Sequence, residues 1–176
     1  MDKKLLKEIL SIPSYSGKES KLVHFICEFL EKNKIPYKVD ELFNIYCTKG
    51  DADIYPCVVA HTDTVHNNHY IDVRTELKKN CRDVVKEAYK GYNAKGKPTG
   101  IGGDDKAGVF ACLTLLLELH VLKAAFFVSE EIGCKGSKEA DEAFFENVGY
   151  AIQFDAPFDY MVTEVSSGVP LFDRDS

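Results

Sequence analysis

Imidazole and carboxylate groups cluster in four short stretches of the chain: His61-Thr62-Asp63, Asp104-Asp105, Glu130-Glu131 and Asp155. The Glu130-Glu131 pair poses the sharpest question. It closes the apolar run Phe126-Phe127-Val128-Ser129 and is followed by glycines at Gly133 and Gly136. Neighbours on a regular strand point to opposite faces, so two adjacent glutamates serve one site only if the strand stops and turns there. The other clusters share this placement. Tyr55–Ala60 reads as a buried strand running out into His61-Thr62-Asp63, Lys123–Ser129 as one running into the glutamates, and Tyr150–Phe154 as one running into Asp155. The turn Gly100–Gly103 delivers Asp104-Asp105 directly before an apolar helix.

Each cluster has an ordinary explanation on its own. A histidine often ends a strand without binding anything, Asp104-Asp105 fits a helix N-cap, and Asp155 before Ala156-Pro157 fits the start of a turn. Together they fall at the carboxyl edge of the strands, where open α/β sheets place their ligands. Carboxylates crowded there repel one another unless a cation sits among them. Imidazole and carboxylate without cysteine suit a catalytic divalent ion, most naturally zinc, with manganese or cobalt as alternatives. A mixed set with a bridging carboxylate fits two ions about 3.5–4 Å apart. Such a pair polarises a carbonyl and activates a shared water, and a carboxylate left free of metal can then take the water's proton. Two adjacent glutamates would thereby acquire different tasks.

The elements that must position these groups follow from periodicity. Lys3–Leu10 reads as a helix ended by Ile12-Pro13. Ser16-Gly17-Lys18-Glu19 has the form of a capping box for a second helix, with Leu22, Val23, Ile26, Phe29 and Leu30 on its apolar face. Tyr37–Thr48 reads as one or two strands, Lys106–His120 and Ser137–Glu146 as helices, and Phe158–Val165 as a further strand. The polar segment Asn67–Thr99 is ambiguous, with Val73–Leu77 and Val84–Tyr92 fitting strands or a short helix. Strands alternating with helices give an α/β fold, layered α/β/α, with a mixed, largely parallel central sheet, in a single domain over residues 1–176.

Composition is that of a globular chain, with 45% hydrophobic and 28% charged residues. A net charge of −6 argues against nucleic-acid binding, and no apolar stretch reaches the roughly 18 residues of a membrane span. The opening MDKKLLKEIL lacks the features of a secretion signal, and the six cysteines show no CxxC spacing. The expectation is a cytoplasmic protein with free thiols and no membrane partner.

The strings PSYSGKES, VVAHTDTV, GIGGDDKAGVFA, SEEIGCKGS and QFDAP occur in this order. They resemble the co-catalytic zinc exopeptidases, which include aminoacylase, glutamate carboxypeptidase and the tripeptide aminopeptidase called peptidase T, the last branch above all. The resemblance spans about Pro13 to Asp155. It implies that His61 and Asp155 bind a first metal, Asp104 bridges two metals and Glu131 binds the second. It also implies that Asp63 orients His61, that Glu130 is the general base, and that the peptide after Asp104 is cis.

Two features depart from that pattern. The family's second metal takes a further histidine late in the chain, whereas no histidine follows His120 here, and no separate lid or dimerisation domain fits. The expectations are a fragment, a second metal bound weakly, or a homo-oligomer or complementing chain that completes the site. His66 and His69 are the nearby substitutes. The activity implied is hydrolysis of an amide bond in a small peptide or N-acyl amino acid, with a metal-bridging water as nucleophile. One alternative is a non-catalytic derivative that binds a metal or partner. A phosphoester hydrolase fits less well, because an Arg cluster and a phosphate-cradling loop are both missing.

Overall fold

The computed structural model describes residues 2–79 and 85–155. Helix α1 (Lys3–Ser11) is capped by Asp2, whose carboxylate accepts from the amides of Lys4 and Leu5. Helix α2 (Ser20–Lys32) buries Leu22, Val23, Ile26 and Leu30. Strands β1 (Tyr37–Val39) and β2 (Ile45–Lys49) form a hairpin, and β3 (Tyr55–His61) follows. The chain then builds β4 (Asp72–Lys79), β5 (Val85–Tyr92) and β6 (Pro98–Thr99) before α3 (Gly103–Glu118) and β7 (Leu122–Phe127). Two four-residue helices, α4 (Lys135–Lys138) and α5 (Glu142–Phe145), precede β8 (Val148–Gln153).

The main sheet has the order β1-β2-β7-β3-β8. It is mixed: β3 runs parallel to both β7 and β8, while β2 is antiparallel to β1 and β7. The three parallel strands are therefore the ones whose carboxyl ends meet. Alternation along them divides the core in two. Val58, Ala60, Ala124 and Phe126 face α1, α2 and α3, where Ile9, Leu22, Ile26, Val109, Leu113 and Leu116 complete the cluster. Cys57, Val59, Ala125 and Phe127 face the opposite side, against Tyr46 and Phe145 of α5. The α/β/α layering is thus unequal, with long helices on one face and short ones on the other.

Several local expectations are corrected. Ser16 and Glu19 do not form a capping box: α2 begins at Ser20, and both side chains turn into the carboxyl edge of the sheet instead. Ser137–Glu146 is not one helix but α4 and α5, because a turn through Ala140 and Asp141 interrupts it. The ambiguous polar segment is a three-stranded antiparallel sheet, β4-β5-β6. That sheet packs on α1 through Leu6, Leu10, Ile71, Val73, Tyr89 and Ile101, and at its base Asn68 donates to the Gly100 carbonyl at 2.9 Å. Phe158–Val165 lies outside the described residues. The described cysteines, at 27, 47, 57, 112 and 134, are free thiols. Among the described residues no helix is long and apolar enough to cross a membrane.

Candidate metal centre

His61 is the last residue of β3 and is 2% exposed. Its Nδ1 lies 3.0 Å from the Asp63 carbonyl oxygen and 3.4 Å from Asp63 Oδ1. Its Nε2 faces Asp104 Oδ1 at 2.9 Å, with Glu130 Oε2 and Asp155 Oδ2 each at 3.9 Å. Burial alone would lower the imidazole pKa, but Asp63, Asp105 and Glu130 outweigh it and raise it to about 10. The surrounding carboxylates therefore favour the protonated ring in the metal-free protein.

Asp104 projects from the turn before α3 with its side chain 69% exposed, and the Asp104–Asp105 peptide is cis. Both residues have non-helical backbone angles, so regular helix starts beyond them. Gly102, with φ of 66°, makes this turn possible, and a Cβ there would meet Thr64 Cγ2 at 2.4 Å. Asp155, just past β8, is half-buried, and its pKa is raised by burial and then by the charge of Asp104.

The glutamate pair is fixed from beneath by Asp63. This carboxylate is fully buried and accepts from Ser16 Oγ at 2.6 Å, Glu130 N at 2.8 Å and Glu131 N at 3.1 Å. Burial would raise its pKa, but His61, Ser16 and the Glu130 amide together hold it below the usual carboxylate range. The chain leaves β7 through Ser129, whose φ is 56° and whose amide and hydroxyl donate to Glu19 Oε1 at 3.1 and 3.2 Å. A tight turn follows, with the Glu130 carbonyl accepting from Gly133 N and Cys134 N. The strand does stop, and its last amides are taken by side chains rather than by a neighbouring strand.

Of the residues expected from sequence, His61, Asp104 and Asp155 come together: each offers a ligand atom, and these atoms lie within 4.8 Å of one another. Donors so spaced suit an ion bonded to each at about 2.0–2.2 Å. Glu130 borders the group, and Asp63 lies behind His61. Glu131 is outside it, although burial and then the charge of Asp104 raise its carboxyl pKa. His66 and His69 are also outside; His66 instead packs its ring where a Cβ on Gly100 would sit.

Two charged residues that the sequence reading named without a separate role are fixed by the structure. Asp105 is 1% exposed, accepts from His61 N at 3.2 Å and Gly108 N at 2.9 Å, and is raised by burial to a pKa of about 7. Lys106 is equally buried, donates to the carbonyls of Ile12 at 2.6 Å and Ile101 at 3.1 Å, and is lowered by burial to about 8. It satisfies carbonyls left over where α1 ends and secures the Asp104 turn to that helix. The signal was the unbroken polar string Asp-Asp-Lys ahead of an apolar helix, where only the first aspartate reaches the cluster.

An imidazole and carboxylates thus gather at the carboxyl ends of the parallel strands of a layered α/β fold, and solved proteins share that fold. The chain has the fold of a tripeptidase from Staphylococcus aureus, at TM-score 0.65 and 24% identity over 86% of this chain and 42% of that one. It is also similar in fold to aminopeptidase PepT from Bacillus cereus, at TM-score 0.68 and 18% identity over 87% and 42%. In sequence it is 31% identical over 144 residues to a probable carboxypeptidase of Emericella nidulans, covering 76% of this chain and 32% of that protein. The resemblance seen in the sequence therefore holds in fold. The chain spans about a third of that fungal relative and less than half of the two solved structures. No family model matches the sequence.

Proposed function

We propose that the chain is the catalytic domain of a metal-dependent exopeptidase of the co-catalytic zinc family, hydrolysing an amide bond in small peptides or N-acyl amino acids. The observation that carries this reading is the convergence of His61, Asp104 and Asp155, with Glu130 3.9 Å from the imidazole. The peptidase and carboxypeptidase names of its relatives support hydrolysis of peptides in general. His61, Asp104 and Asp155 would hold one divalent ion, zinc by preference, and Glu131 with Asp104 a second; such ions polarise the scissile carbonyl and acidify water.

The remaining steps belong to the chain's own groups. Glu130 accepts the proton of the attacking water and returns it to the departing amine. Its partly open side chain, 23% exposed, supports that role. Asp63 fixes the tautomer and direction of His61 while holding the two glutamate amides, so one buried carboxylate sets the spacing of base and ligand. The test measures zinc bound per chain and turnover of a di- and tripeptide panel, for the wild type and Glu130→Ala. Retained zinc with lost turnover is expected.

A second reading is a binding protein without turnover. It is favoured by one observation: Glu131 stands outside the ligand group, and no second imidazole joins that group among the described residues. Zinc bound at one ion or less, with no hydrolysis by any purified form, would establish it.

A further inference from the structure

Asp105 stands next to Asp104, yet its carboxylate is not part of the ligand group and is buried at 1% exposure. As the cap of α3's regular part it needs only one oxygen, and Oδ1 provides it to Gly108 N at 2.9 Å. Asn or Ser would cap equally well without burying a charge. The second oxygen accounts for the aspartate. Oδ2 accepts from the backbone N–H of His61 at 3.2 Å. On the β8 side, pairing ends at Val59 with Gln153, while on the other side His61 is still in register with Phe127 of β7, so it is the β8-side amide that Asp105 takes. Asp105 thus joins the last residue of β3 to the first turn of α3, the two elements that carry His61 and Asp104.

Gly108 completes the arrangement. A Cβ there would lie 2.3 Å from Asp105 Oδ1 and 2.4 Å from Oδ2, so any side chain would displace the carboxylate. Glycine is unfavourable inside a helix relative to alanine, and here the space it leaves is filled by both oxygens.

We infer that Asp105, seated against Gly108, is a positioning residue that locks the His61 main chain to the start of α3 and so presets the separation of His61 and Asp104 for an ion. This rests on the metal-site reading above. The probe is cobalt(II), followed by calorimetric titration and visible absorption, together with NMR exchange of the His61 amide in chelator-treated protein. Asp105→Asn retains the cap but can turn only its NH2 group toward His61. It is expected to bind cobalt roughly 10–100-fold more weakly with an altered spectrum, measured at a temperature where the chelator-treated variant, whose NH2 now faces the His61 N–H, is still folded. Its His61 amide should exchange at least about tenfold faster. Gly108→Ala should produce the same losses, and the double variant should be no weaker than the worse single one. Wild-type affinity, spectrum and His61 exchange in Asp105→Asn would overturn the inference, as would independent, additive losses in the double variant. Failure of the wild type to bind cobalt removes the metal-site reading instead, and His61 exchange then decides the positioning role alone.

Discussion

Asp63 offers the most demanding test, because it serves the fold and the site through the same two oxygens. Replacing it with alanine removes the acceptor for Ser16 Oγ, Glu130 N and Glu131 N and leaves these donors in a partly buried space. Hydrogen bonds to a charged acceptor contribute about 1.5–3 kcal/mol each, and partial water access reduces that to about 1–2, so three predict a loss of about 3–6 kcal/mol. Asp63→Asn keeps one oxygen and should lose about half as much, with its NH2 group facing a donor. Urea unfolding in chelator measures this without any metal contribution. A second readout is His61, whose pKa of about 10 owes its largest upward push to Asp63. In Asp63→Ala the imidazole should titrate well below that value by NMR. A cost under about 1 kcal/mol together with an unmoved His61 would refute the reasoning, since three charged hydrogen bonds and a neighbouring anion cannot vanish unnoticed.

The other predictions concern charge and burial. Glu130→Gln should keep bound zinc and lose about 10²–10⁴-fold in turnover, whereas Glu131→Gln should weaken metal binding; equal metal loss in both would contradict the division of labour. The raised pKa of His61 fixes a pH dependence. Its folded pKa of about 10 exceeds the unfolded value near 6.5, so its stabilisation of the metal-free protein is complete below pH 6.5 and is lost as pH rises toward 10. Melting of the chelator-treated protein should therefore fall between pH 7 and 9, and metal affinity should rise by up to about tenfold per pH unit because binding expels that proton. Affinity that stays flat over this range would count against His61 as a ligand. Lys106→Met leaves the carbonyls of Ile12 and Ile101 without their donor and should destabilise by about 2–4 kcal/mol in chemical unfolding; a variant as stable as wild type would mean those carbonyls find other partners.

The sequence by itself determined the strand ends and their chemistry. Continuous apolar runs identify β3 and β7 because both faces of those strands are buried, and the polar residues just beyond them mark the carboxyl edge. Motif order carried the resemblance, and with it the candidate ligands His61, Asp104, Glu131 and Asp155. Local rules failed where a side chain had a distant partner. The string Ser16 to Glu19 satisfies a capping pattern, yet Ser16 bonds Asp63, 47 residues on, and Glu19 bonds Ser129, 110 residues on. The resemblance singled out Asp104, but only the tertiary structure shows why its chemically identical neighbour differs: one faces the open cluster and the other a space left by Gly108. The same holds for the glutamates, whose shared turn is fixed by a carboxylate from another strand end. Spacing in sequence records which groups are available, whereas hydrogen bonds closed across long loops decide where each one points.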